Sequence, residues 1–183
     1  MFIDILTNQL FVFGISLLSL SYYFVNRKFT MRKEDGIIFI LLGLFMLITG
    51  LYSLFTWTLP GPYNILFYDL YPIAGLLFLS FGLHLFFEAR EYKYLGFIAS
   101  IFGIITIVYG MYGYYLKLTN NPLLFFLLYL FTGLASLFSL PLSLYIDERQ
   151  ENKYMLYLFV VLLSIAGILS LFIGVYTLYY HLI

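Results

Sequence analysis

Long, unbroken apolar runs separated by short polar connections dominate the chain. A helix needs about 20 apolar residues to cross the hydrocarbon core of a bilayer. Runs of about that length predict six spans, at residues 3–25, 36–55, 71–87, 94–116, 123–146 and 154–180. The runs are continuously apolar rather than alternating, which excludes a β-barrel. The predicted fold class is an all-α integral membrane protein, a six-transmembrane-helix bundle in a single domain over residues 1–183.

Composition supports this fold class and removes several kinds of function. Of the 183 residues, 63% are hydrophobic and 10% are charged, against about 45–50% and about 25% in an ordinary soluble domain. Soluble enzymes, nucleic-acid binders and disordered linkers are therefore excluded, and the expected partner is the lipid bilayer. Nine basic and nine acidic residues give no net charge that would attract a polyanion. The absence of cysteine excludes disulfides, thiolate metal sites and a cysteine nucleophile.

Basic residues are concentrated in alternate connections. Eight of the nine follow the first, third and fifth spans: Arg27, Lys28, Arg32, Lys33, Arg90, Lys93, Arg149 and Lys153. Short basic loops are retained in the cytoplasm, so the sequence predicts a multi-pass protein of the cell membrane with both termini outside. The first span follows the acidic Asp4, whereas a signal peptide begins with basic residues. We therefore expect this span to stay in the mature protein.

The second, fourth and sixth spans end in a similar motif. Gly-x-Tyr-x-(Leu/Tyr)-aromatic begins at Gly50, Gly110 and Gly174. This period predicts three parallel helical-hairpin repeats of about 60 residues, at about 1–62, 63–122 and 123–183. Chance matches are the alternative, because Gly, Tyr, Leu and Phe are so frequent here.

Glycine pairs seven residues apart lie on the same three spans: Gly43 and Gly50, Gly103 and Gly110, Gly167 and Gly174. Seven residues make about two helical turns, so each pair shares one face. In lipid, small residues let helix backbones approach closely. The glycines are therefore predicted to pack one helix against another.

Polar side chains recur on the odd-numbered spans at steps of four, which places each set on one helix face. The sets are Ser19, Tyr23 and Arg27; Ser80, His84 and Glu88; and Ser139, Ser143 and Asp147. If these stripes turn toward a common axis, they form a small channel or carrier for a proton, a cation or a small polar solute. Thr132 and Ser136 extend the last stripe, which would then line a hydrated path. Alternatively, such hydroxyls bond to their own backbone or to a neighbouring helix.

His84 and Glu88 are the clearest ionisable candidates within the membrane, where such groups are costly and usually functional. Their four-residue spacing allows a hydrogen bond on a helix, which would hold a proton or help to ligate a cation and would couple the two side chains energetically. The alternative is that Glu88 extends into the headgroups while His84 bonds to another helix.

The connection between the second and third spans is too apolar for a solvated loop, and Pro60-Gly61-Pro62 enforces a turn in it. It predicts an interfacial or re-entrant segment that covers the bundle as an outer lid. Trp57, Asn64 and Asp69 are the lid candidates, with Asn64 and Asp69 facing an outer vestibule. Alternatively, Asp69 only caps the third span.

No catalytic residue, metal ligand set or cofactor site is predicted, and we expect the protein not to be an enzyme. The second histidine, His181, lies at the opposite end of the bundle from His84, and no Gly-rich phosphate loop precedes a helix. A competing hypothesis is a non-catalytic structural or assembly subunit of a larger membrane complex or homo-oligomer. A lipid-acting membrane enzyme ranks third, because only His84 and Glu88 offer a pair for it.

Residues 59–69 read Leu-Pro-Gly-Pro-Tyr-Asn-Ile-Leu-Phe-Tyr-Asp. With six spans, this stretch resembles a family of predicted archaeal membrane proteins classed only as a domain of unknown function. The resemblance implies an archaeal membrane as the setting, and it implies no activity and no site residues.

Overall fold

The computed structural model describes residues 5–27, 33–89, 91–148 and 153–182. These residues form seven helices and no strand: α1 (Ile5–Arg27), α2 (Lys33–Thr56), α3 (Pro62–Tyr68), α4 (Leu70–Phe86), α5 (Lys93–Tyr115), α6 (Pro122–Asp147) and α7 (Lys153–Leu182). Helices α3 and α4 follow each other directly and together make the third span, Pro62–Phe86. Six helices are thus long and apolar enough to cross a membrane, which confirms the six predicted spans.

Large apolar side chains cover the outside of the bundle. Among the exposed ones are Ile38, Leu41 and Ile48 on α2 and Ile101 and Ile104 on α5. Exposing such an apolar surface to water is unfavourable, whereas contact with lipid hydrocarbon carries no such cost. The chain is therefore a multi-pass membrane protein whose exposed faces suit contact with lipid.

The two ends of the bundle differ in chemistry. Helices α2, α5 and α7 begin with Lys33, Lys93 and Lys153, and we call that end the basic end. The opposite end carries α3 and is called the α3 end. Lys28, Arg32, Arg90, Arg149 and the side chain of Arg27, which contribute to the predicted orientation, lie outside the described residues.

The long helices associate most closely as three antiparallel pairs, α2 with α4, α5 with α6, and α1 with α7. Each pair joins spans that the predicted hairpins place in different repeats. Contacts between α1 and α2, and between α4 and α5, are sparse by comparison, and α6 and α7 pack to an intermediate extent.

Glycines cross at the centre of all three pairs. A Cβ built on Gly43 would lie 2.8 Å from the carbonyl oxygen of Gly75. A Cβ built on Gly103 would lie 2.6 Å from the carbonyl oxygen of Gly133, and one built on Gly167 would lie 3.1 Å from the carbonyl oxygen of Gly14. Backbone approaches backbone at each crossing, and at Gly167 the Leu18 side chain lies closer still, at 2.8 Å. The predicted packing role of these glycines is confirmed.

Aromatic rings fill the interior toward the basic end. The Tyr23 ring lies 5.4 Å from the ring of Phe24, 5.8 Å from that of Phe39 and 5.6 Å from that of Phe81, each time edge to face. Rings prefer this geometry because the positive edge of one meets the negative face of the other. Tyr23 is buried among these rings.

Candidate functional site

Two cavities lie inside the bundle, one above the other. The larger, of about 120 Å³, runs from the helix midpoints toward the basic end, between α1, α4, α5, α6 and α7. The smaller, of about 60 Å³, lies toward the α3 end. Four residues line both cavities and so form the layer between them: Phe13, Ala74, Phe102 and Thr132. This layer sits at the depth of the glycine crossings, near the middle of the helices.

The wall of the larger cavity is mostly apolar, with one polar strip. That strip consists of Thr132, Ser136, Ser139 and Ser143 on α6. The Ser139 hydroxyl donates to the carbonyls of Ser136 (2.6 Å) and Gly96 (3.1 Å), and that of Ser143 donates to the carbonyl of Leu140 (2.8 Å). These hydroxyls therefore bond to backbone, as the alternative interpretation expected, and they also line a cavity, whereas a hydrated path stays a prediction.

Thr132 differs from the serines below it. Its side chain is only 5% exposed, and its Oγ1 has no hydrogen-bond partner among the described residues. A buried hydroxyl without a partner costs free energy, about 1–3 kcal/mol in protein mutational data. Thr132 therefore offers a vacant donor and acceptor at the layer shared by the two cavities.

Neither cavity has a charged lining residue within the described part of the chain. Among the described residues that line the larger cavity, Tyr92 at the basic end carries the ionisable group, a buried phenol. Burial raises the pKa of Tyr92, and the proximity of Tyr23 and Asp147 raises it further. Tyr92 therefore stays neutral, and the described lining of the two cavities is uncharged.

Helix α3 covers the α3 end of the bundle. The Tyr129 hydroxyl on α6 donates to the carbonyl of Leu66 at 2.5 Å, and the Tyr109 hydroxyl on α5 donates to Asp69 Oδ2 at 2.9 Å. Phe67 of α3 lines the smaller cavity. The connection thus contains a short helix and is hydrogen-bonded to two spans, whereas its role as a lid stays a prediction.

The predicted lid residues occupy different settings. Asn64 is fully buried, and its Oδ1 accepts from the backbone N–H of Leu59 at 3.1 Å, so it does not face an outer vestibule. Asp69 stands at the N-cap position of α4 without a capping hydrogen bond from its side chain, because that carboxylate binds Tyr109. Trp57 is 52% exposed just after α2 ends, outside the covering segment.

The structure does not bring the three predicted stripes together. Ser139 and Ser143 line the larger cavity, whereas Ser80 is exposed on α4. Ser19 is half-buried and lines neither cavity, and Tyr23 belongs to the aromatic cluster. The steps of four place Ser139 and Ser143 on one face of α6, but α4 ends before Glu88. They did not give the rotation of each helix about its axis, which packing against its partner decides.

Asp147, the last member of the α6 stripe, acts at a helix end. Its Oδ1 accepts from the backbone N–H of Tyr92 at 2.7 Å and its Oδ2 from that of Lys93 at 2.9 Å. These N–H groups open α5 and have no partner within that helix, and a carboxylate is favourable at a helix N-terminus. Asp147 therefore fixes the start of α5 to the end of α6.

His84 and Glu88 are separated by the end of α4. The helix stops at Phe86, and Glu88 adopts a positive φ of 51°. The Glu88 N–H donates to the carbonyl of Leu85, and the Ala89 N–H to that of His84, which is the Schellman pattern of a helix end. Glu88 then faces Lys33, at 3.6 Å. The expected four-residue helical pair is not formed.

The His84 side chain instead lies against an aromatic ring. Its imidazole centroid is 4.3 Å from that of Tyr92, and its Nε2 is buried without a hydrogen-bond partner among the described residues. His84 Nε2 therefore makes no hydrogen bond to another helix among the described residues, contrary to the alternative interpretation. His84 joins the basic ends of α4 and α5 through this ring contact.

Sequence reasoning missed the apolar part of the cavity wall. Phe13, Ala99 and Phe102 line it, yet in the sequence they look like any other apolar residue of a span. Only the hydroxyls of α6 carried a readable signal, since polar groups are scarce within the spans.

Comparison with known proteins gives a family and no activity. Over residues 1–183 the chain matches a family described as proteins of unknown function, DUF981. No curated protein and no solved structure matches the chain. The family match agrees with the resemblance seen in the sequence in one respect, namely that no function is assigned to the family. Since the match covers the whole sequence, the chain belongs to the DUF981 family.

Proposed function

We propose that this protein binds a small, neutral, mainly apolar molecule within its helix bundle and acts as a carrier for it. The observation that carries the proposal is the pair of stacked cavities, separated at mid-depth by Phe13, Ala74, Phe102 and Thr132. A carrier needs a site near the middle of the membrane that is reached from either side in turn. A thin layer between two cavities meets that need.

The lining favours a neutral cargo over an ion. An ion stripped of water needs charged or strongly polar partners, because burying it alone is very costly. The described lining residues supply hydroxyls and backbone carbonyls against an otherwise apolar wall. Apolar cavities of this size stay dry and accept apolar ligands. The proposal therefore departs from the sequence-based hypothesis, which named a proton, a cation or a small polar solute as the cargo.

The orientation proposed from the loops places the α3 end outside. The smaller cavity then faces the exterior beneath α3, and the larger faces the cytoplasm. Aromatic residues at the α3 end, such as Tyr112 and Tyr115, are exposed, which suits a headgroup layer. This supports an arrangement in which the smaller cavity faces the exterior and the larger cavity faces the cytoplasm.

The architecture supports a threefold repeat, although in different units from the sequence hairpins. Gly43 and Gly103 each meet a glycine of the following odd-numbered span, and Gly167 on the last span meets Gly14 on the first. We propose that the repeating unit is the glycine-packed pair. Three such pairs surround the cavities, and the α1–α7 pair closes the ring.

A thermal-melt experiment tests ligand binding. Decanol and its charged counterpart decanoate are added separately to the purified protein in mild detergent. A ligand that binds only the folded state raises its stability in proportion to RT ln(1 + [L]/Kd). We expect decanol at about ten times its Kd to raise the Tm by about 3–6 °C, and decanoate to raise it much less.

Two neighbouring substitutions control for general effects of the alcohol. Ala99→Phe fills the larger cavity, because Ala99 lines it. Ile98→Phe adds similar bulk on the exposed face, where Ile98 is 56% exposed. Decanol should stabilise I98F like the wild type and lose its effect on A99F. Equal shifts in both variants, or equal shifts with decanoate, would reject the proposal and favour the non-catalytic subunit hypothesis.

A further inference from the structure

The boundary between α4 and α5 is unlike the others that surround the cavities. The two helices follow each other in the chain, yet α4 packs along α2 and α5 along α6, with few contacts between α4 and α5. Their connections lie at the two ends. His84 meets Tyr92 at the basic end, and Asp69 binds Tyr109 at the α3 end.

Between these two connections, both helices turn apolar residues toward the larger cavity. Leu77 and Phe78 of α4 line it, as do Leu95 and Ala99 of α5. Leu77, Leu95 and Ala99 are only half-buried, although they line an internal space. The wall at this boundary therefore consists of partly exposed apolar side chains on two helices that make few contacts with each other.

We infer that the larger cavity opens sideways into the bilayer between α4 and α5 and admits a lipid-dissolved aliphatic molecule that carries one hydrogen-bonding end group. This inference rests on the proposed function and names the class of its ligand. The apolar chain passes between Leu77 and Ala99, and the end group reaches the polar strip of α6.

The polar strip suits a single end group. Ser139 and Ser143 already use their hydroxyl protons on backbone carbonyls, so only their oxygens remain free to accept from a ligand. Thr132 Oγ1 is buried and unpartnered within the described structure, and can both donate and accept. A hydroxyl or amide on the ligand would satisfy it. The rest of the wall is apolar.

The length of the cavity also suits a chain. Its lining on α6 extends from Thr132 to Ile146, which is about 21 Å along a helix axis at 1.5 Å per residue. A compact solute would leave most of that length empty. An extended aliphatic chain would fill it, with its end group at the mid-depth layer.

Cysteine labelling tests the lateral opening, since the chain contains no cysteine of its own. Ser136→Cys and Ser139→Cys place a thiol in the larger cavity. Ser80→Cys, on the exposed face of α4, is the positive control. Ser170→Cys is the negative control, because Ser170 is fully buried, lines neither cavity and donates to the carbonyl of Leu10.

Each variant is reconstituted in phospholipid nanodiscs and treated with one of two reagents. N-octylmaleimide dissolves in the bilayer and carries an aliphatic chain, whereas a trimethylammonium-ethyl thiosulfonate stays in water. We expect N-octylmaleimide to label S136C and S139C within about tenfold of the S80C rate, and S170C at least tenfold more slowly still. The charged reagent should label none of them appreciably.

Two results would overturn the lateral opening. Labelling of S136C and S139C by the charged reagent would mean that the cavity is reached from water, which leaves the proposed carrier in place with a different route. N-octylmaleimide labelling of S80C alone, with S136C and S139C as slow as S170C, would mean a closed wall. The decanol melts decide separately whether the cavity binds a ligand at all.

Discussion

Within the part of the chain that the structure describes, three residues other than glycine adopt the left-handed backbone conformation, each one or two residues after a long helix ends. Trp57, Glu88 and Lys117 have φ values of 50°, 51° and 49°. Lys117 repeats the bonding of Glu88, because its N–H donates to the carbonyl of Tyr114 and that of Leu118 to the carbonyl of Gly113. Helix ends commonly use this conformation, most often at glycine. Here side chains occupy it at a cost of about 1–2 kcal/mol per residue.

This local geometry determines what His84 and Glu88 can do. Glu88 lies beyond the end of α4, 57% exposed and facing Lys33, while His84 stays on the helix against Tyr92. We therefore expect the destabilisation by His84→Ala and Glu88→Ala to add in the double variant within about 0.5 kcal/mol. Denaturant melts of the four proteins in detergent measure this. Coupling well above that value would mean that the two side chains interact.

A double-mutant cycle on Gln9 and Ser53 is the positive control, because these two side chains are in contact. The Gln9 Nε2 donates to Ser53 Oγ at 3.0 Å, and both side chains are buried. Gln9→Leu and Ser53→Ala each remove one partner of that bond, while the remaining side chain keeps its bond to the carbonyl of Thr49. Their double variant should depart from additivity by more than about 0.5 kcal/mol.

At the scale of helices, glycine crossings determine which spans pair. The contact at Gly103 is with backbone, the carbonyl of Gly133 at 2.6 Å and the N–H nitrogen of Leu137 at 2.8 Å. Backbone of a neighbouring helix cannot rotate out of the way as a side chain can. Separation of α5 from α6 is therefore the only way to accommodate a larger residue there.

We predict that Gly103→Ala destabilises the protein by about 1–3 kcal/mol, the usual cost of overpacking. Gly113→Ala on the same helix is the control, because its Cβ would meet only the Leu66 side chain, at 3.0 Å. Thermal melts in detergent should show a smaller loss for G113A. Equal losses would mean that helix propensity or the lipid face, rather than close approach, explains the glycines.

The sequence was sufficient for the existence of the spans and for the role of the glycines, since both follow from length, composition and seven-residue spacing. It was not sufficient for the partner of each glycine face. Gly75 and Gly82 pack against Gly43 and Gly36. The spacing of the glycines on α4 does not indicate whether α2 or α5 is the helix that packs against them. Helix partners depend on the complementary surface of another helix, which lies far away in the chain or, for α1 and α7, at its other end.

The candidate site was predictable only where it is polar. Ser139 and Ser143 stand out in an apolar span, whereas Ala99 and Phe102 carry no sign that they face an internal space. The stripe hypothesis also required all three stripes to face inward. Packing of α4 against α2 through Gly75 and Gly82 turns Ser80 outward instead, because a helix has one rotation about its axis and the glycines determine it.

In the whole molecule, the helices that pack most closely are not the pairs that the predicted hairpins would place together. The last helix packs against the first, which closes a ring of helices. The closely packed pairs are α2 with α4, α5 with α6, and α7 with α1. The Thr7 and Thr177 hydroxyls lie 2.9 Å apart, which places the start of α1 beside the end of α7. A chain that began at α2 and ended at α1 would therefore make every glycine-packed pair a continuous hairpin.

We predict that a circular permutant beginning at Lys33, with a flexible linker joining residue 183 to residue 1, folds with a Tm within about 5 °C of the original chain, by the usual scale of about 2–4 °C per kcal/mol for this size. The new opening separates α1 from α2, which belong to different pairs.

A second permutant, beginning at Thr119, is the control because it separates α5 from α6, a glycine-packed pair. Its two helices must then associate across the whole chain, which raises the entropic cost of bringing them together, so it should melt lower. Melts of both permutants in the same detergent make the comparison, and the proposed pairing predicts the order of their Tm values. If the Thr119 permutant were as stable as the Lys33 permutant or more so, the glycine-packed pair would not be the unit from which the bundle is built.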